Sequence, residues 1–158
     1  MTGMVEEIIV NGEGHILGRL ASIVAKRLLN GERITILNAD KVVVSGDRKM
    51  VIESYKLLFE VGTLRSPYKQ GIRRPRSPEN IVRRTIRGML PISKPKGRSA
   101  FRRLKVFTGI PPEYVDKVNK MIKIEDALAT RLGRKYATLA EIAIQLGWKP
   151  KSQVGWRK

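Results

Sequence analysis

Glu7-Ile8-Ile9-Val10-Asn11-Gly12-Glu13-Gly14-His15-Ile16-Leu17-Gly18 opens the stretch that decides the fold, and Arg33-Ile34-Thr35-Ile36-Leu37 closes it. Glu7 to Val10 is a short run of strand formers stopped by Asn-Gly, and Gly14 to Gly18 turns the chain into a helix reaching Asn30-Gly31. At about 100° per residue, Leu17, Leu20, Ala21, Val24, Ala25 and Leu28 gather on one face while Arg19, Ser22 and Lys26 lie opposite. Such a helix covers a sheet. The β-branched run Arg33 to Leu37 reads as a second, buried strand, so the unit is βαβ with parallel strands. Lys41-Val42-Val43-Val44 is a further strand or edge segment after the Asn38-Ala39-Asp40 turn, and a helix is expected from about Asp47 to Phe59. The fold class is therefore α/β. A length of 158 residues suits one compact domain with appendages, with a boundary expected between an α/β domain over 1–111 and a helical extension over 112–158.

The same unit carries a resemblance to a dinucleotide-binding loop. Gly12, Gly14 and Gly18 follow a strand and open a helix, and Asp40 stands at the end of the second strand, where a ribose-binding acid belongs. The spacing, however, is GxGxxxG and not GxGxxG, no second mononucleotide half follows, and few residues remain for a catalytic domain. A tight strand-to-helix turn needs the same glycines. His15 is the only histidine and there is no cysteine, so neither a thiolate metal site nor a Ser-His-Asp triad is expected. No GxxxxGK[ST] loop occurs, and the acids of the second half are scattered among bases, not paired. No catalytic set, metal or cofactor is expected.

Charge points elsewhere. The formal net charge is +18, a self-repelling density that a polyanion would neutralise in use. Met1 to Glu60 holds 8 Lys/Arg against 8 Asp/Glu, Val61 to Lys105 holds 14 against 1, and Val106 to Lys158 holds 10 against 5. The excess is thus concentrated in one 45-residue block whose only acid is Glu79, which solubility alone does not require. A membrane is the weaker polyanion: no apolar run approaches the roughly twenty residues of a spanning helix, and Met1 to Glu7 is acidic where a leader peptide would be basic.

Inside the basic block, Val61 to Ser77 carries Gly62, Pro67, Gly71 and Pro75 with Arg65, Lys69, Arg73, Arg74 and Arg76, the composition of a loop able to follow a phosphate backbone. Ser77-Pro78-Glu79 reads as an N-cap, a proline at the first helical position and a first-turn acid. On the helix that follows, Val82, Ile86, Met89 and Leu90 share the core face, and Arg83, Arg84 and Arg87 project from the other. Beyond Leu90-Pro91 a second loop with Lys94, Lys96 and Arg98 leads into a short helix bearing Arg102 and Arg103, then a strand-like Leu104-Lys105-Val106-Phe107. Ten of the fourteen bases are arginine, whose planar fork suits bidentate contact with phosphate.

Towards the end, Thr138-Leu139-Ala140-Glu141 fits a capping box opening a helix with Leu139, Ile142, Ala143 and Leu146 on its apolar face, ended at Gly147. A DNA-binding helix-turn-helix could be drawn from Ala143 and Gly147, but Pro150 interrupts its recognition helix. A docking helix with a basic end, Lys149 to Lys158, is the plainer reading. Trp148 and Trp156 fit either base stacking or an intermolecular pocket.

Gly14-His15-Ile16-Leu17-Gly18-Arg19-Leu20-Ala21-Ser22, Asn38-Ala39-Asp40-Lys41, Arg87-Gly88-Met89-Leu90-Pro91 and Arg103-Leu104-Lys105-Val106 resemble, in order, the motifs of the universal large-subunit ribosomal protein family L-thirteen. The resemblance covers roughly Val5 to Pro111, and the Gly-Met-Leu-Pro motif among arginines is its most specific part. Tyr68 to Arg76 and Arg83 to Arg87 are similar to the archaeal and eukaryotic branch. The resemblance implies a three-layer α/β/α domain around a four-stranded parallel sheet and a structural, non-enzymatic role in the large ribosomal subunit, early in its assembly. Its implied partners are large-subunit ribosomal RNA and neighbouring ribosomal proteins, with no small-molecule substrate and no membrane, and its implied location is the ribosome in the cytoplasm. RNA contact is carried onto Arg65, Lys69, Arg73, Arg74, Arg76, Arg83, Arg84, Arg87, Lys94, Lys96, Arg98, Arg102, Arg103 and Lys105. A DNA-binding regulator and a small nucleotide-binding βαβ protein remain the alternatives from the residues themselves.

Overall fold

The computed structural model describes residues 7–62, 66 and 73–150. Strand β1 (Glu7–Asn11) and strand β2 (Arg33–Leu37) pair in parallel from Glu7 opposite Arg33 to Asn11 opposite Leu37. Helix α1 (Leu17–Leu29) makes the crossover, and all six apolar side chains expected to face the sheet are buried. Gly31 adopts φ +104° just past the helix, where a Cβ would be strained.

Strand β4 (Leu104–Val106) joins the free side of β2, giving the order β1-β2-β4, all parallel. Between them lie strand β3 (Val43–Ser45), helix α2 (Arg48–Glu60), helix α3 (Pro78–Gly88) and helix α4 (Pro95–Arg102). Alternation along the strands sends Val10, Ile34, Ile36, Leu104 and Val106 into the main core with α1, Ile81, Val82 and Ile86. Ile9 and Leu37 face the other way, onto Tyr114, Phe107 and Met121. That face is covered by a 3-10 helix, Pro112–Lys120, in place of the α layer that the family resemblance implies.

The expected four-stranded parallel sheet is corrected to three strands among the described residues. Where a fourth would lie beside β1, the chain forms a single parallel bridge at Ile122, with Ile122 N–H donating to Ile9 at 2.8 Å and Asn11 N–H donating to Ile122 at 3.1 Å. It goes no further because Ile124 N–H donates to His15 Nε2 at 2.9 Å, and Glu125–Ala127 then coils into another 3-10 turn. A backbone donor given to a side chain is lost to the ladder. Strand β3 pairs antiparallel with strand β5 (Tyr136–Thr138), from Val43 opposite Thr138 to Ser45 opposite Tyr136, as a separate two-stranded sheet.

Helix α5 (Leu139–Gln145) follows, opened by the expected capping box: Thr138 Oγ1 accepts from Glu141 N–H and Glu141 accepts from Thr138 N–H. Leu139, Ile142 and Leu146 enter the main core beside α2 and α3, and Gly147 at φ +95° ends the helix.

Candidate nucleic-acid interface

In the strand-to-helix loop that resembles a dinucleotide site, every N–H from Gly12 to Ile16 is already engaged within the protein. Such a site needs free backbone N–H groups, yet Gly12 donates to Leu37, Gly14 to Lys41, His15 to Gly12 and Ile16 to Ala127, and Glu13 donates to Asn11 Oδ1. A Cβ at Gly12 would lie 2.9 Å from Leu37 O and 2.9 Å from Val42 Cγ2, so this glycine serves packing. Asp40 accepts from Gly109 N–H at 3.1 Å, which anchors the β4 loop. His15 is fully buried. Its Nε2 accepts from Ile124 and its Nδ1 donates to Glu13 O at 3.1 Å, which requires the neutral ring. Burial, helped by the charge of Lys123, accordingly holds its pKa below the ordinary value, against the raising effect of the Glu13 and Gly12 backbone. Among the described residues no cluster of three His, Asp or Glu could hold a metal ion.

The basic block is built differently. Pro78 occupies the first turn of α3 as expected, but Ser77 makes no capping hydrogen bond and its Oγ is buried without a partner. Val82 and Ile86 are fully buried and Leu90 is buried. Met89, assigned to the core, is instead 43% exposed, and Ile81 takes the inward place, because the chain leaves the helix at Gly88 and the 3.6-residue phase no longer applies. Arg83, Arg84 and Arg87 are exposed on the opposite face.

Those three arginines meet Arg73 and Arg74 in one open groove that Pro75, Asn80 and Phe101 complete. Arg83 lies 5.5 Å from the centre of the Phe101 ring, which α4 supplies, a cation–π contact that orients the guanidinium without neutralising it. Among the described residues no salt bridge involves a base between Arg73 and Lys105; ion pairs such as Lys41–Glu13, Arg48–Glu141 and Lys135–Asp47 lie elsewhere. Even Glu79 is engaged by the Thr108 hydroxyl. Five guanidinium groups thus converge with no carboxylate among them.

A second groove is lined by Arg33, Arg102, Arg103 and Lys105 with Glu7. Sequence reasoning missed Arg33, which lies in the charge-balanced block; the register of β2 on β4, Ile34 opposite Leu104, brings it beside Arg103. Burial of the Glu7 carboxyl acts to raise its pKa, but hydrogen bonds from Thr35 and Tyr114 and the charges of Lys105 and Lys117 prevail and hold it below the ordinary value.

Two of the proposed RNA-binding side chains have internal duties. Arg103 Nη2 donates to Leu28 O at 2.8 Å at the end of α1, and Arg76 Nη1 donates to Leu146 O at 3.0 Å at the end of α5, each a cation on the negative end of a helix. Arg76 also lies 4.8 Å from the Phe59 ring centre. Lys94, Lys96 and Arg98 are exposed and line neither groove. Lys96 and Arg98 sit on α4, not in a loop, since the helix already starts at Pro95. Arg65 and Lys69 fall outside the described residues, as does Trp156.

Fold and site together define a class: a basic α/β protein whose glycine loop spends its N–H groups internally and whose arginines gather in an open groove without ion-pair partners among the described residues. The family model described as ribosomal protein L13 matches residues 6–113. Among curated relatives, the large ribosomal subunit protein uL13 of Saccharolobus solfataricus is 49% identical over 150 residues, covering 94% of this chain and 99% of its own length. That of Archaeoglobus fulgidus is 48% identical over 144 residues, covering 89% and 88%. The protein of the same name from Methanocaldococcus jannaschii is 44% identical over 142 residues, covering 89% and 98%. The chain belongs to the ribosomal protein L13 family, in its archaeal-type branch, and is not an enzyme.

Proposed function

We propose that this chain is a structural constituent of the large ribosomal subunit that binds large-subunit ribosomal RNA, with the groove of Arg73, Arg74, Arg83, Arg84 and Arg87 as its principal phosphate-binding surface. The observation that carries this is the convergence of these five guanidiniums without a carboxylate partner. At a net charge of +18, neutralisation must come from outside, and arginine forks match phosphate oxygens in geometry as well as charge. The relatives named above carry the name of the large subunit. The other members of the proposed RNA set, Arg65, Lys69, Arg76, Lys94, Lys96, Arg98, Arg102, Arg103 and Lys105, belong to the same reading, as do an early place in subunit assembly, neighbouring ribosomal proteins as partners and a ribosome-bound location in the cytoplasm. The division into a domain over 1–111 and an extension over 112–158 with a basic tail is part of it too. The groove is open and has no reactive side-chain set, so a small-molecule substrate has no place in this reading.

Two measurements test it. In a sucrose gradient of cell extract, the protein is expected to sediment with large subunits through moderate salt washing; recovery mainly in the soluble fraction overturns the assignment. Changing Arg83, Arg84 and Arg87 to Gln is expected to keep the fold, since exposed substitutions usually shift stability by only about ±0.5 kcal/mol. Removing one arginine–phosphate pair makes the slope of log affinity against log salt shallower by roughly 0.7 to 0.9, so about 2 to 3 for all three. Unchanged RNA affinity and salt slope in the triple variant mean that this face of α3 is only a solvated surface.

A further inference from the structure

Beside the arginine groove lies a cavity of about 260 Å³ whose lining includes Tyr55, Leu58 and Phe59 of α2, Ile81 and Arg84 of α3, and Arg74. Arg74 and Arg84 line both the cavity and the groove, so the two are continuous. The cavity is just under the roughly 300–1,000 Å³ of sites for drug-sized ligands, a size for one small flat ring system. Its floor is apolar: Ile81 is buried, and Leu58 stays 43% exposed. Tyr55 is only partly buried. Among the described residues it has no aromatic or cation partner on its ring, unlike Phe59, on which Arg76 already lies. Burial raises the pKa of its hydroxyl. Arg74 Nε is buried with no hydrogen-bond partner, which leaves a charged donor unsatisfied at the junction of cavity and groove, an arrangement that costs stability unless something else fills it.

We propose that this cavity receives an unpaired nucleobase of the bound RNA, with Tyr55 as the stacking ring and Arg74 and Arg84 holding the phosphate of the same nucleotide. The proposal deepens the RNA-binding reading above and rests on it. An aromatic ring next to a cationic groove is what a splayed-out base requires: its flat face gains contact with an apolar wall while its phosphate stays in the field of the guanidiniums. A double helix could satisfy the groove but leaves the cavity empty, so the inferred RNA is a bulge, loop or single strand at this point. An aromatic or aliphatic side chain of a partner protein is the competing occupant, but it would bring no charge to meet Arg74 and Arg84.

The test uses the full chain with a single-stranded oligoadenylate and an abasic oligoribonucleotide of the same length, which carries the same phosphates without bases. The wild type is expected to prefer the base-bearing strand by about five- to 150-fold, the range of one stacked base, with equal salt slopes for both strands. Tyr55→Leu is expected to abolish most of this preference without altering either slope, whereas Arg84→Gln makes both slopes shallower. Because Tyr55→Leu could also loosen α2, the unmutated protein is photocrosslinked to an oligouridylate containing 4-thiouridine, and a crosslink is expected at Tyr55 or Phe59. Equal affinity for both strands, or crosslinks mapping only elsewhere, overturns the base pocket while leaving phosphate binding intact. Absence of salt-dependent binding to either strand overturns both.

Discussion

Replacing His15 with leucine removes a side chain for which the sequence offers no catalytic or metal-binding role and that the tertiary fold makes a joint. The imidazole ties the loop after β1 to the segment before the Glu125–Ala127 turn, through Nδ1 to Glu13 O and Nε2 from Ile124 N–H. Glu13 is exposed, so its carbonyl can turn to water. Ile124 is buried, and its N–H cannot without opening the structure. One unsatisfied buried donor costs about 1–3 kcal/mol, and the leucine side chain offers nothing in exchange. For a chain of this size that lowers Tm by roughly 2 to 12 °C. The loss should depend on pH. Because burial depresses the folded-state pKa of His15, the unfolded chain binds the proton first as pH falls through about 6.5, and wild-type stability declines by at most about 1.4 kcal/mol per pH unit below that value. The leucine variant has no such proton to bind, so the two stability curves should converge on acidification. Glu7, also depressed, has an ordinary value of 4.5, so its contribution is complete above that pH and lost only below it, clear of the window. Urea titrations followed by circular dichroism at pH 7.5 and 5.5 measure the effect. A stability difference that stays the same at both pH values refutes the neutral buried histidine; no difference at either refutes the joint.

Ile86 is fully buried on the face of α3 opposite Arg84, so Ile86→Ala should cost about 2–5 kcal/mol in a urea melt, while the RNA affinity and salt slope of the remaining folded protein stay as in the wild type. Loss of affinity at unchanged stability shows that the two faces of α3 are misassigned. A Cβ at Gly97 would stand 2.0 Å from Pro91 O and 2.4 Å from Pro91 C, and backbone cannot move aside as a side chain can. Gly97→Ala should therefore shift α4 and cost about 1–3 kcal/mol or more; a variant with wild-type melting behaviour rules out this close approach.

The parts that were legible in the sequence share one property: they are decided within a few residues of themselves. The face of α1 follows from the spacing of Leu17, Leu20, Ala21, Val24, Ala25 and Leu28, all of which are buried. The capping box at Thr138 and Glu141 is a local reciprocal pair. The outward pointing of Arg83, Arg84 and Arg87 follows from the inward pointing of Val82 and Ile86. Met89 escaped the same reasoning one residue past the end of its helix.

By itself, then, the sequence determined the parallel βαβ unit, the segregation of arginine into one block and the missing catalytic set, since periodicity and composition are properties of neighbouring residues. Tertiary structure alone decided which bases share a groove. Arg33 joins Arg103 because β2 lies beside β4, while Arg76 and Arg103 are drawn to the carbonyls of Leu146 and Leu28. It also decided that, among the described residues, the parallel sheet has three strands, because Ile124 gives its N–H to His15 instead of to a neighbouring strand. In each case the partner is distant along the chain, and an interaction of that kind is selected by the free energy of the whole packed core, which no window of sequence contains.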